Sequence, residues 1–243
     1  MTPTAAGLSL VEFFPRVRII NLEHRRDRRT EMTDELARIG IAVDGTHVAF
    51  HKASSFSEPG GFRTNGARGC FHSHLAILRE AAAAATAVLI LEDDADLARD
   101  IDNRLPPALD YLRTKNWSIF YGFAGSPTEY AAKLSLADPE KNIALTHCVG
   151  FSAHAVQCLV PYLDAMLARP PGSPEGGAMD VDGAYSWFRR AYPDAETWCA
   201  YPDLATQRPS RTDVTPGLLD QLPGTRQALT LWRKLKRRVS PRR

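Results

Sequence analysis

The sequence predicts an α/β protein built around a central, mostly parallel sheet. Three observations carry this. Val88 to Leu91 is an unbroken apolar run, the pattern of a strand buried on both faces. Val17 to Leu22 is a second β-rich run, and a polar turn leads from it into a helical repeat, as at the start of a βαβ unit. Further apolar runs at residues 117–123 and 143–152 are separated by segments with helical spacing or turn chemistry.

In order, Val17–Leu22 is the first strand. It ends in Asn21 and a dense basic segment, E-H-R-R-D-R-R. From Asp27 to Ile39, apolar Met32, Leu36 and Ile39 recur at spacings of four and three, one face of a helix closed by Gly40. Thr46–Phe50 reads as a second strand, and the Gly- and Ser-rich stretch 54–65 as a loop. Gly66 and Gly69 open a helix that continues through the alanines to about Ala85. After the strand at Val88, Pro106–Leu112 reads as a short helix starting near the proline pair. Trp117–Phe123 is a strand, residues 126–142 a polar loop, and Ile143–Ser152 another strand. Ala155–Leu167 is helical by its apolar spacing, and 170–177 is a Pro/Gly loop. Met179–Phe188 is a helix, and Thr197–Tyr201 a last strand.

At 243 residues, 44% hydrophobic, the chain can bury a sizeable core. The division expected is an N-terminal extension (1–15), one domain (16–214) and a basic tail (215–243). The net charge of +2 is unevenly placed: residues 233–243 hold seven of the 30 Lys/Arg and no acid, leaving 23 bases against 28 acids elsewhere. A mildly acidic body argues against nucleic acid as partner. The tail, with Ala228, Leu231, Trp232, Leu235 and Val239 on one side if helical, suits an anionic membrane surface, or is simply disordered. Cys70, Cys148, Cys158 and Cys199 form no C-x-x-C pair, which predicts reduced thiols. With neither a secretion signal nor a long apolar span, the expected location is cytoplasmic, and peripheral on the inner face of the membrane if the tail binds it.

The chemistry is expected at the end of the Val88 strand, where V-L-I-L runs into E-D-D-A-D. Open α/β sheets place ligands at strand ends. Alternation along a continuing strand would put Glu92 and Asp94 on one face and Asp93 on the other. Packed carboxylates call for a compensating cation, and Mg²⁺ or Mn²⁺ bridging to phosphate oxygens supplies one; a solvated acidic loop is the alternative. Arginines after the first strand can pair with a diphosphate or lie on a solvated helix face. His72 and His74, two apart, point in different directions on a helix, so His74 is either a ligand contact or a structural histidine. Asp180 and Asp182 are either helix caps or a general base beside a mobile loop.

Taken together, the blocks I-N-L-E-H-R-R-D-R-R, G-A-R-G-C-F-H-S-H and L-I-L-E-D-D, with weaker echoes in W-S-I-F-Y-G and P-D-L-A-T-Q-R-P-S-R-T-D, resemble glycosyltransferase family 25 over residues 16–214. The resemblance implies a GT-A-like nucleotide-binding fold. It implies transfer of a hexose, by family precedent galactose, from a UDP-sugar to a hydroxyl of a glycan or glycolipid such as lipopolysaccharide, with inversion and with Mn²⁺ or Mg²⁺. On this basis Asp94 is the metal ligand, Asp93 contacts the ribose or a water on the ion, and Glu92 orients the group. Asn21, Leu22 and Arg28 line the nucleotide pocket. Gly69, Ser73 and His74 hold the donor, Gln207 and Ser210 close it, and Asp180, then Asp182, is the base. Asp96 is a rival metal ligand. Ser118 and Phe151 depart from the family pattern, in which an acid and a tyrosine are frequent. The competing functions are a non-catalytic nucleotide- or glycan-binding relative and a metal-dependent phosphohydrolase.

Overall fold

A seven-stranded sheet forms the middle of three layers. The computed structural model describes residues 2–123 and 134–208. In chain order the strands are β1 (Arg16–Asn21), β2 (Val48–Lys52), β3 (Val88–Glu92), β4 (Ala95–Leu97), β5 (Trp117–Tyr121), β6 (Leu134–Leu136), β7 (Cys148–Phe151), β8 (Glu196–Ala200) and β9 (Ala205–Gln207). The helices are α1 (Ala5–Phe13), α2 (Arg26–Arg38), α3 (Asn65–Ala83), α4 (Ile101–Arg113), α5 (Ala153–Leu167) and α6 (Val181–Ala191). The sheet order is β2-β1-β3-β7-β5-β8-β6, and β4 and β9 form a separate two-stranded ribbon. Strands β1, β2, β3, β5 and β8 run one way, and only β6 and β7 oppose them. This is the α/β, mostly parallel architecture expected.

Alternation along the central strands feeds two cores. Val17 and Ile19 of β1 and Leu89 and Leu91 of β3 face α2 and α4, where Met32, Leu36, Leu105 and Leu109 meet them. Val88 and Ile90 face the other way, toward Leu75 and Leu78 of α3, Leu159 and Leu163 of α5, and Phe188 of α6. Truncating a fully buried leucine such as Leu36 costs about 2–5 kcal/mol. Helix α2 ends where expected: Gly40 has φ +72°, and its N–H donates to the Ala37 carbonyl at 3.0 Å. Helices α3 and α5 start on side-chain caps, Thr64 accepting from the Ala67 N–H and Ser152 from the Ala155 N–H.

Four expectations need correction. Residues 1–15 are more than an extension, because α1, capped by Thr4, buries Ala6, Leu10 and Phe13 in the first core. Helix α4 begins at Ile101, so Pro106 and Pro107 lie inside it. The apolar stripe Ile101, Leu105, Ala108, Leu109 and Leu112, all buried, outweighs the two missing N–H donors. The stretch read as loop from 126 onward contains edge strand β6, which pairs with β8. Strand β3 stops at Glu92, and a turn follows, so strict alternation does not continue through the acids. The basic tail and Ser210 lie outside the described residues. Among the described residues, no helix is long and apolar enough to cross a membrane.

Candidate functional site

The parallel strands β1, β2 and β3 end at one cavity of about 640 Å³. Its walls come from the turn after β1 (Leu22, His24, with Arg28 from α2), the loop after β2 (Ala53 to Phe56) and the acids after β3 (Glu92, Asp93, Asp94). The first turns of α3 and α6 face it from the other side, and Gln207 and Arg208 close it at the end of β9. Helix N-termini carry unpaired N–H groups and favour anions. Five carboxyl groups line the cavity against three guanidinium groups, so it is acidic overall.

The turn after β3 brings Asp93 and Asp94 to the same arginine. Arg28 donates from Nη1 to Asp93 Oδ1 at 2.8 Å and lies 3.3 Å from Asp94 Oδ2. Asn21 donates to Asp93 Oδ2 at 2.7 Å. Both Asp93 oxygens are thus taken within the protein. Asp94 differs: Gln207 lies 3.5 Å from Oδ2, while the buried Oδ1 has no hydrogen-bond partner among the described residues. Burial pushes the Asp94 carboxyl up, against the pull of Arg28, with Asp93 adding to the rise. Glu92 accepts from the Thr146 hydroxyl at 2.7 Å. Burial, then the Asp94 charge, raises its carboxyl to about 7.

Asp94 Oδ1, like Asp180 Oδ1, is thus a carboxylate oxygen of the cavity's acids left unmet among the described residues. Mg²⁺ is held by one or two carboxylates, the other positions going to water and phosphate, so an unmet carboxylate oxygen beside an acidic cavity fits it. Asp96 does not compete. It is paired with Arg208, whose Nε and Nη2 lie 2.8 and 2.7 Å from Asp96 Oδ1. Arg208 also donates to Glu31 at 2.6 Å, and its N–H to the Asp94 carbonyl at 2.6 Å.

Asp180 and Asp182 both reach the cavity from α6. Asp180 occupies the cap position, yet its side chain makes no cap hydrogen bond. Arg63 instead holds its Oδ2 through Nη2 at 2.9 Å and Nε at 3.2 Å, while the buried Oδ1 has no hydrogen-bond partner. Asp182 is more fully occupied, accepting from its neighbour Gly183 N–H at 2.7 Å and from Leu145 N–H at 3.2 Å.

Of the residues proposed from sequence, the structure brings Leu22, Arg28, Gly69, Ser73, Glu92, Asp93, Asp94, Asp180, Asp182 and Gln207 to this one cavity. Four of the proposed donor contacts also make contacts within the protein. Asn21 sits behind Asp93 rather than on the cavity wall. Ser73 is fully buried, donating to the Gly69 carbonyl at 2.7 Å and accepting from the Ser54 N–H at 2.8 Å, which ties the 54–56 loop to α3. Gly69 serves the same contact, since a Cβ there would lie 2.4 Å from the Ser54 carbonyl oxygen. His74 is buried behind the wall, 2.9 Å from the Tyr185 hydroxyl. Ser118 and Phe151, the two departures from the family pattern, also lie away from the cavity, Phe151 packing edge-on against Tyr185. Sequence reasoning missed Arg63, Thr146 and Arg208. Arg208 adjoins the singled-out Gln207, and that adjacency was its one available signal.

The model of Glycosyltransferase family 25 (LPS biosynthesis protein) matches residues 14–123. That span includes Arg28, Gly69 and the three acids, but neither α6 nor β9. No curated protein matches the chain. Among solved structures, a glycosyltransferase involved in the glycosylation of the major capsid of PBCV-1 is 10% identical, with 77% of this chain and 93% of that one covered at a TM-score of 0.43. A protein described as a glucose-1-phosphate thymidylyltransferase from Bacillus anthracis, in complex with a sucrose, is also 10% identical, with 98% and 82% covered at a TM-score of 0.40.

Proposed function

We propose that this chain, whose residues 14–123 match the model of glycosyltransferase family 25, transfers a hexose, galactose by family precedent, from a UDP-sugar to a hydroxyl of a glycan or glycolipid acceptor such as lipopolysaccharide, with inversion. The single observation that carries this reading is the buried, unpartnered Oδ1 of Asp94 in an acidic cavity at the ends of three parallel strands. Domain 16–214 would contain the transferase, with α1 packed onto it.

Mn²⁺ or Mg²⁺ held at Asp94 would neutralise the charge that grows on the leaving diphosphate. The protein's own groups do the rest. Asp93, anchored by Asn21 and Arg28, is fixed in place as a wall beside the nucleotide. Arg28 stands between Asp93 and Asp94 and sets its positive charge beside the diphosphate. The N-terminus of α3 adds N–H groups from the facing side of the cavity. Gln207 orients Asp94 from the opposite strand. Leu22 packs against the nucleotide at the end of β1.

Asp180 is the favoured general base. One oxygen is held by Arg63, and the other is left to accept the proton of the acceptor hydroxyl. Asp182, with both oxygens engaged by backbone N–H groups, would position the start of α6.

The test is a thermal-shift panel of nucleotide sugars with Mn²⁺, on the wild type and on Asp94→Asn. A donor at about a hundredfold excess over Kd stabilises the protein by about 2.7 kcal/mol, which stands out in such a panel. UDP-galactose is expected to raise the melting temperature of the wild type only when Mn²⁺ is present, and to leave folded Asp94→Asn unmoved. A shift unaffected by Asp94→Asn, or none with any UDP-sugar, overturns the proposal.

A further inference from the structure

A second set of ligand-type side chains lies behind the acids. Cys70 and His74 are one helical turn apart on α3, and Glu92 ends β3 beside them. One ligand atom from each lies within 4.8 Å of the others. His74 is fully buried, and its Nε2 has no hydrogen-bond partner among the described residues. Leaving a buried polar atom unmet costs about 1–3 kcal/mol, and such an atom calls for an explanation. The other ring nitrogen, Nδ1, is 2.9 Å from the Tyr185 hydroxyl. With Nδ1–H donated to that oxygen, the Nε2 lone pair becomes the ring's ligand atom, the arrangement in which an outer partner fixes the tautomer of a metal-binding histidine.

We propose that Cys70, His74 and Glu92 form a binding site for a Zn²⁺-class cation, separate from the hard-cation position at Asp94. Thiolate, imidazole and carboxylate are together a set that zinc accepts and magnesium does not favour. Cys70 and Glu92 line the cavity whereas His74 lies behind it, so the fourth position of a tetrahedral ion faces the cavity. On binding, the Cys70 thiol releases its proton to solvent, and lone pairs from sulfur, Nε2 and a Glu92 oxygen fill three positions. Bonds of about 2.0–2.3 Å require the three groups to draw together by rotation of the Cys70 and Glu92 side chains.

Co²⁺, as a spectroscopic stand-in for Zn²⁺, tests this on the full chain. Wild-type protein titrated with Co²⁺ should develop the near-ultraviolet thiolate-to-cobalt band and the strong visible bands of four-coordinate cobalt, and Zn²⁺ should displace both. The rival site is the exposed pair on α5, where Cys158 Sγ lies 3.9 Å from His154 Nε2. Cys158→Ser and Asp94→Asn should keep the thiolate band, and Cys70→Ser should lose it, with Zn²⁺ affinity weaker by at least about tenfold. No thiolate band in the wild type, a band that survives Cys70→Ser, or one lost in Cys158→Ser or Asp94→Asn overturns the proposal. Should Cys70→Ser fail to fold, Glu92→Gln decides, since it keeps the thiolate and must still weaken Zn²⁺ by about tenfold; unchanged affinity refutes the site. The readout is absorbance rather than sugar transfer, so this inference and the proposed function fail independently.

Discussion

Glu92→Gln separates the electrostatics of the acid cluster from its packing. In the folded protein the Glu92 carboxyl is raised from 4.5 to about 7, first by burial and then by the Asp94 charge. Between those values the native protein retains a proton that the unfolded chain has already released. Stability contributed by Glu92 is therefore present below the unfolded value and is lost as pH rises through the window from 4.5 to about 7. At about 1.36 kcal/mol per pH unit, the full loss is about 3 kcal/mol. Glutamine keeps an oxygen for the Thr146 hydroxyl and carries no charge. Glu92→Gln should thus be more stable than the wild type by about 3 kcal/mol near pH 8, and by only about 1 kcal/mol near pH 5. Urea unfolding followed by tryptophan fluorescence, with chelator present to exclude cations, measures the gap at each pH. A gap that does not change with pH, or a variant weaker than the wild type near pH 8, would refute the reasoning.

Three further outcomes follow from the same geometry. Arg28→Met leaves Asp93 and Asp94 buried together without their guanidinium, so unfolding near neutral pH should become easier by about 3–5 kcal/mol; added Mn²⁺ should recover part of that loss, and an equal response of wild type and variant to Mn²⁺ would contradict the shared site. Steady-state kinetics on Asp180→Ala and Asp182→Ala should single out the base, with kcat lowered by about 10²–10⁴ for Asp180 and the KM for donor retained; a larger kcat defect in Asp182→Ala reverses the assignment. Gly69→Ala drives a methyl group into the Ser54 carbonyl, and its urea midpoint should fall by the equivalent of about 1–3 kcal/mol.

Much of this arrangement was legible because it is local. The two-faced burial of β1 and β3 is written in runs of consecutive apolar residues, and the site acids follow one of those runs directly. Helix α2 shows itself through Met32 and Leu36 and through Gly40 after its end. What escaped was long-range or contrary to pattern. Arg18 points into the sheet's α3 side, where Glu80 takes its guanidinium at 2.6 Å, and no alternation rule predicts a buried arginine in a strand. Arg63 meets Asp180 across 117 positions of chain, and Thr146 meets Glu92 across 54. Three-residue strands such as β4 and β9 are too short to carry a period of two. Helix α1 did offer a signal, with Thr4 as cap and Ala6, Leu10 and Phe13 at spacings of four and three. The end of β3 was misjudged because alternation was extended past Glu92, where a turn had already begun.

The β4–β9 ribbon bears on when the protein becomes competent during its synthesis. Ala95, Asp96 and Leu97 pair with Gln207, Thr206 and Ala205, so the partner of an early segment is made more than a hundred residues later. A nascent chain halted after residue 123 already contains the three acids and Arg28, but lacks Gln207 and the guanidinium that joins Asp96 to Glu31. The ribosome must therefore deliver residue 208 before that corner can lock, and ribosome-bound intermediates stopped short of it should leave the cavity open at the acids.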